Sequence, residues 1–139
     1  MRFWDSSAIA ALLVEEAATR PREAQLHEDA EILVWYGTLA ELESAICRRE
    51  RETSIDPEQA AHARARLSVL TRSWLEVQPT SWVRERAIRL LRVHPLRAAD
   101  ALQLAAALVA FKERTAGNRF LTADPRLAKA ASLEGFSVE

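Results

Sequence analysis

A chain of 139 residues with 49% hydrophobic content is sized for one domain over residues 1–139 and can bury a core without disulfide staples. Its formal net charge of -1 excludes the whole-molecule field of a strongly basic nucleic-acid binder. Its single cysteine, Cys47, excludes an intramolecular disulfide and points to a reducing, cytoplasmic setting. Met1 leads straight to Phe3, Trp4 and Asp5, and no apolar run approaches a membrane span, so neither a signal peptide nor a transmembrane segment is expected.

In chain order, residues 1–4 form a short apolar run, after which Asp5 and Ser6 can cap a helix reaching about Glu16. Pro21 opens a second short helix that ends near Asp29. Ile32 to Tyr36 read as a strand, broken by Gly37 and Thr38 before a helix from Leu39 to about Arg51. Asp56-Pro57 pairs a capping residue with proline at the first helical position and starts a helix to about Thr71. Trp74 to Val77 are a third strand, and Thr80 caps a helix through about Leu91. His94-Pro95 marks a turn before the alanine- and leucine-rich stretch Ala98 to Phe111, which reads as a largely buried helix. Asn118 to Thr122 are a fourth strand, Asp124-Pro125 caps another helix, and Gly135 precedes a last strand at Phe136 to Val138. Strands alternating with helices over short connections imply a mainly parallel sheet of four or five short strands with helices on both faces.

Four acids stand where strands end or helices begin: Asp5, Glu41, Asp100 and Asp124. In a parallel α/β sheet, ligands bind outside the carboxyl ends of the strands, so all four can face one edge. Each also has an ordinary explanation. Asp5 and Asp124 are good N-caps, while Glu41 and Asp100 sit in first turns favoured by the helix dipole. Gathered together they would repel, each pair costing about 3 kcal/mol at about 5 Å and an effective dielectric near 20. A divalent cation removes that cost, and an all-oxygen set selects Mg²⁺ or Mn²⁺ over zinc.

Other candidates are weaker. His27, His62 and His94 lack zinc-ligand spacing with one another or with Cys47, and three glycines make no phosphate loop. Trp4, Trp35, Trp74 and Trp82 lie in or beside apolar runs and are expected in the core. Arginines cluster at Arg48, Arg49 and Arg51, and at Arg84, Arg86, Arg89, Arg92 and Arg97. They read either as solvated helix faces or as a phosphate-contacting rim around the acids.

The segments Asp5-Ser6-Ser7, Gly37-Thr38 with Ala40-Glu41, Ala99-Asp100-Ala101 and Leu121-Thr122-Ala123-Asp124 stand in an order and spacing similar to PIN-domain ribonucleases. More narrowly they resemble VapC toxins of bacterial type II toxin-antitoxin systems. Arg126-Leu127 and Glu134-Gly135-Phe136 extend the likeness over nearly the full length. The resemblance implies an Mg²⁺-dependent endoribonuclease in which Asp5, Glu41, Asp100 and Asp124 hold one or two ions, with Mn²⁺ as a substitute. A metal-activated water would hydrolyse the phosphodiester to leave a 5′-phosphate and a 3′-hydroxyl. It also implies that the Ser6 and Thr122 hydroxyls steady the ligands.

Glu41 is preferred to Glu43, which falls on another helix face. Leu127 replaces a further acid that some members carry, which weakens the case for a second ion. By resemblance, the partners are RNA, a cognate antitoxin and a second copy of the chain. The antitoxin would lie across the acidic groove, with residues 56–71 and the preceding arginine-rich helix as its docking surfaces. The alternatives are a catalytically silent PIN-like module that binds RNA or protein, and a receiver-type Mg²⁺-binding signalling domain. The receiver reading lacks paired acids after the first strand, a third-strand aspartate and a final lysine.

Overall fold

Side-chain alternation along short strands sets the layers of this protein, whose computed structural model describes residues 1–139. The strands are β1 (Arg2–Trp4), β2 (Ile32–Trp35), β3 (Leu75–Val77), β4 (Arg119–Leu121) and β5 (Ser137–Val138). They form one sheet in the order β3-β2-β1-β4-β5, and every neighbouring pair is parallel. Between them run α1 (Ser6–Leu13), α2 (Thr19–Glu28), α3 (Thr38–Arg51), α4 (Pro57–Leu70), α5 (Ser81–Val93), α6 (Ala98–Ala110) and α7 (Pro125–Leu133).

Successive strand residues point to opposite faces, and the two cores divide accordingly. Phe3, Leu33, Trp35 and Phe120 pack under α5, α6 and α7, with Phe3 and Phe120 stacked at 5.3 Å. Trp4, Ile32, Val34 and Leu121 pack under α1, α3 and α4. The first two crossovers therefore cover one face while the sheet grows from β1 to β3. The chain then returns over the other face to place β4 on the free side of β1. That reversal opens a crevice at the carboxyl ends of β1 and β4, the place where parallel sheets bind ligands.

The α/β architecture and all five strands agree with the sequence expectation, and three details differ. α1 stops at Leu13 rather than near Glu16, because the Thr19 hydroxyl donates to the Ala11 carbonyl at 2.6 Å and draws the chain into the turn before α2. Pro21 lies within the first turn of α2, which starts at Thr19. Trp82 is 72% exposed, against the expectation that all four tryptophans are core. Its neighbour Val83 takes the inward position on α5, so Trp82 in the first turn faces solvent.

Candidate metal centre

Asp5 enters the crevice directly from the central strand. Its backbone amide donates to the Leu121 carbonyl at 3.0 Å, extending the β1–β4 ladder by one residue. Its carboxylate caps α1 by accepting from the Ser7 amide at 3.2 Å, and it also accepts from the Ser7 hydroxyl and from Thr122 Oγ1 at 2.9 Å. Thr122 holds Asp124 as well, because the Asp124 amide donates to the same hydroxyl at 3.1 Å. Asp124 Oδ1 caps α7, accepting from Arg126 N at 2.8 Å, with Pro125 at the first helical position. Behind this wall the buried Arg22 guanidinium donates to the Thr122 carbonyl at 2.9 Å.

Glu41 arrives from β2 through Gly37. A Cβ at residue 37 would stand 2.6 Å from Trp35 Nε1, so the Trp35 indole packed against this position leaves room only for glycine. The Ser6 hydroxyl donates to Glu41 Oε2 at 2.7 Å and lies 3.4 Å from Asp5 Oδ1, and so links the two acids. Asp100 occupies the first turn of α6. One turn later, buried Gln103 donates to Glu41 Oε2 at 3.3 Å and to Thr38 Oγ1 at 3.2 Å. Its other amide atom, Oε1, is buried without a partner. Gln103 and Ser7 were not legible as site residues; only the spacing of Gln103 from Asp100 on α6 could have pointed to it.

Glu43 faces away from the crevice and pairs with Arg64 of α4 at 2.7 Å. The aliphatic Leu127 is fully buried in the core under α7. All four sequence-chosen acids thus flank one crevice, and Ser6 and Thr122 bond to them.

The electrostatics are those of a site short of positive charge. Burial raises the Asp5 carboxyl above the usual carboxylate range, against the bonds from Ser7 and Thr122. Burial likewise raises Glu41 despite the bonds from Ser6 and Gln103, and the charges of Asp5 and Asp100 add to the shift. Asp100 is raised by burial and then by Asp124 and Asp5, with Arg97 opposing. None of the chain's ion pairs, such as Arg49 with Glu16 or Arg86 with Glu113, involves any of these four acids. As the chain stands, no three His, Cys, Asp or Glu side chains are gathered closely enough to hold an ion. Uncompensated like charges keep apart. In donor chemistry and in missing charge, the set fits a hard divalent cation.

The metal-free chain is expected to gain stability on mild acidification. A carboxyl with a raised folded pKa holds its proton more tightly when folded, so its stabilising contribution is lost as pH rises through the folded pKa. Between neutrality and about pH 5, Asp5, Glu41 and Asp100 therefore favour the lower pH. Glu134 is shifted the other way: burial is outweighed by the bonds from His94 and Arg89, and its contribution is lost only at lower pH. Thermal melts in EDTA should show Tm rising from pH 7.5 to 5.5, with Mg²⁺ abolishing the rise. A Tm that falls steadily over that range in EDTA would contradict this account of the site.

A family model described as PIN domain matches residues 2–133. Among solved structures, the chain is similar in fold to one described as the crystal structure of PAE2754 from Pyrobaculum aerophilum. The TM-score is 0.69 at 18% sequence identity, over 99% of this chain and 87% of that one. Comparison with curated proteins yields no match.

Proposed function

Because the chain belongs to the PIN domain family, whose members are typically nucleases, we propose that it is an Mg²⁺-dependent endoribonuclease and the toxin of a toxin-antitoxin pair. One observation carries the reading: four carboxylates flank the β1–β4 crevice, three of them with raised pKa, and none has a cationic side chain as partner. Asp5, Glu41, Asp100 and Asp124 would hold the ion. When bound, Mg²⁺ supplies Lewis acidity to the phosphate and acidifies a water.

The chain's own residues prepare that chemistry. Thr122 and Ser7 fix the Asp5 carboxylate, Ser6 and Gln103 fix Glu41, and burial of Asp5 against the sheet limits water around it. The proposal extends to a cognate antitoxin covering the acids, a homodimer, and a cytoplasmic setting. No helix is long and apolar enough to cross a membrane. That no three of these side chains stand close enough together to hold an ion favours one competing reading, a silent PIN-like module.

Cleavage of a labelled RNA in Mg²⁺ and in EDTA separates the two, with Glu41→Gln and Glu43→Gln run beside the wild type. Metal-dependent products ending in 5′-phosphate and 3′-hydroxyl are expected, reduced about 10²-fold or more in Glu41→Gln. Glu43→Gln, which loses only an exposed ion pair, should stay within about twofold. Cleavage that persists in EDTA overturns the metal mechanism; a folded wild type that neither cleaves nor gains stability from Mg²⁺ leaves the silent module.

A further inference from the structure

Of the arginines that the sequence left open between solvated face and phosphate rim, those on α5 are partly committed elsewhere. Arg86 pairs with Glu113 at 2.8 Å and Arg89 with Glu134 at 2.6 Å. Arg51 does not line the groove beside the acids, whereas Arg48 and Arg49 do. That groove, of about 610 Å³, runs between α1 and α3 from Ser6 and Glu41 to these two arginines. Residues 41, 44, 45 and 48 recur at helical spacing, so α3 presents Glu41, Ser44, Ala45 and Arg48 along one stripe. Arg49 is held by Glu16 at 3.2 Å across the far end. Arg48 is exposed and enters no ion pair.

We infer that Arg48 is a phosphate-binding subsite for the RNA strand beside the cleavage centre, reached through the groove between α1 and α3; this rests on the nuclease reading above. Seven residues along α3 put the Arg48 backbone about 10 Å from that of Glu41. A guanidinium on a long stem spans much of that distance. The fork suits phosphate oxygens, and it lies outside the acid set, where a cation would otherwise neutralise the ion site. The groove floor argues for a nucleic-acid backbone rather than a peptide. Apart from Leu42, which is already buried in the core, its apolar lining is the small side chains Ala10, Ala40, Ala45 and Ala123, which give little socket for the aromatic or aliphatic anchors that hold a peptide. Ser6, Ser7 and Ser44 on its walls add hydroxyls of the kind that meet phosphate and sugar.

The test measures binding of a fluorescent single-stranded RNA in a cleavage-deficient Asp100→Asn background, by anisotropy over a series of salt concentrations. Adding Arg48→Ala should weaken binding roughly fivefold to tenfold and lower the slope of log K against log salt by about 0.7, one single-strand phosphate contact. Arg48→Lys should keep the slope, and Arg92→Ala on α5 should change neither quantity. An Arg48→Ala protein with unchanged affinity and slope overturns the subsite, as does an equal loss in Arg92→Ala. Because these are binding readouts, they judge the subsite whether or not the wild type cleaves. Conversely, an Arg48→Ala enzyme that cleaves RNA in Mg²⁺ with the wild-type KM overturns the subsite and leaves the nuclease reading standing.

Discussion

Asp100→Asn should abolish Mg²⁺-dependent RNA cleavage, by about 10³-fold or more, while making the metal-free protein more stable. Loss of one charged group that stabilises the transition state costs roughly 10²–10³ in rate, and a ligand lost from an ion site adds weakened metal binding. The gain in stability has the same origin. Asp100 is raised by burial and by the charges of Asp124 and Asp5, which Arg97 offsets only in part, so a neutral amide removes net repulsion. Opposite signs for activity and stability mark a functional site. Asp5→Ala should be as inactive but less stable. It strips the cap from α1, worth about 0.5–2 kcal/mol, and leaves the Ser7 and Thr122 hydroxyls without their acceptor. Cleavage rates beside thermal melts in EDTA decide the matter: an Asp100→Asn protein that melts lower than wild type, or cleaves as fast, refutes the assignment.

Phe120→Ala is expected to cost about 3–5 kcal/mol, the usual toll of deleting a fully buried aromatic ring. Phe120 is fully buried, stacked on Phe3 at 5.3 Å and tilted against Phe136 at 5.7 Å. It thereby ties β1, β4 and the residue before β5 into one core. Against a total stability of roughly 5–15 kcal/mol, the variant should melt roughly 10–20 °C lower. It also loosens β4 two residues before Thr122, so cleavage measured on the folded fraction should fall too, though far less than in Asp100→Asn. Urea titration checks the first claim, and a loss below about 1 kcal/mol would show that the aromatic stack is not the keystone it looks.

The succession of strands and helices, and the acids' positions at strand ends and helix starts, were readable because each β-to-α step carries its own local chemistry, whereas the strand order β3-β2-β1-β4-β5 was not. Asp5, Asp56, Thr80 and Asp124 do cap the helices they precede, and proline follows two of them. Short runs of apolar residues marked the buried central strands β1, β2 and β4, whereas the edge strands β3 and β5 are largely exposed. What local pattern could not show were contacts made at a distance. The fate of Glu43 depends on Arg64 in a different helix, and the role of Gln103 depends on Thr38 and Glu41. Trp82 was misjudged because a large aromatic beside apolar residues looks like core until Val83 is seen to occupy the inward position. The end of α1 depended on Thr19, which closes the turn from the next helix.

The reversal of direction at β1 has a consequence for the order in which the chain is made. Asp5 and Thr122 are bonded although 117 positions apart, and β4 slots in beside the first strand only after both helical layers are laid down. Pairings this remote close slowly, and domains made from the N-terminus wait for their last partner. A nascent chain that has displayed Asp5, Glu41 and Asp100 still lacks the strand that clamps the first and carries the fourth. A chain interrupted before β4 would therefore carry three of the acids without the strand and hydroxyl that hold Asp5 and Asp124 in place.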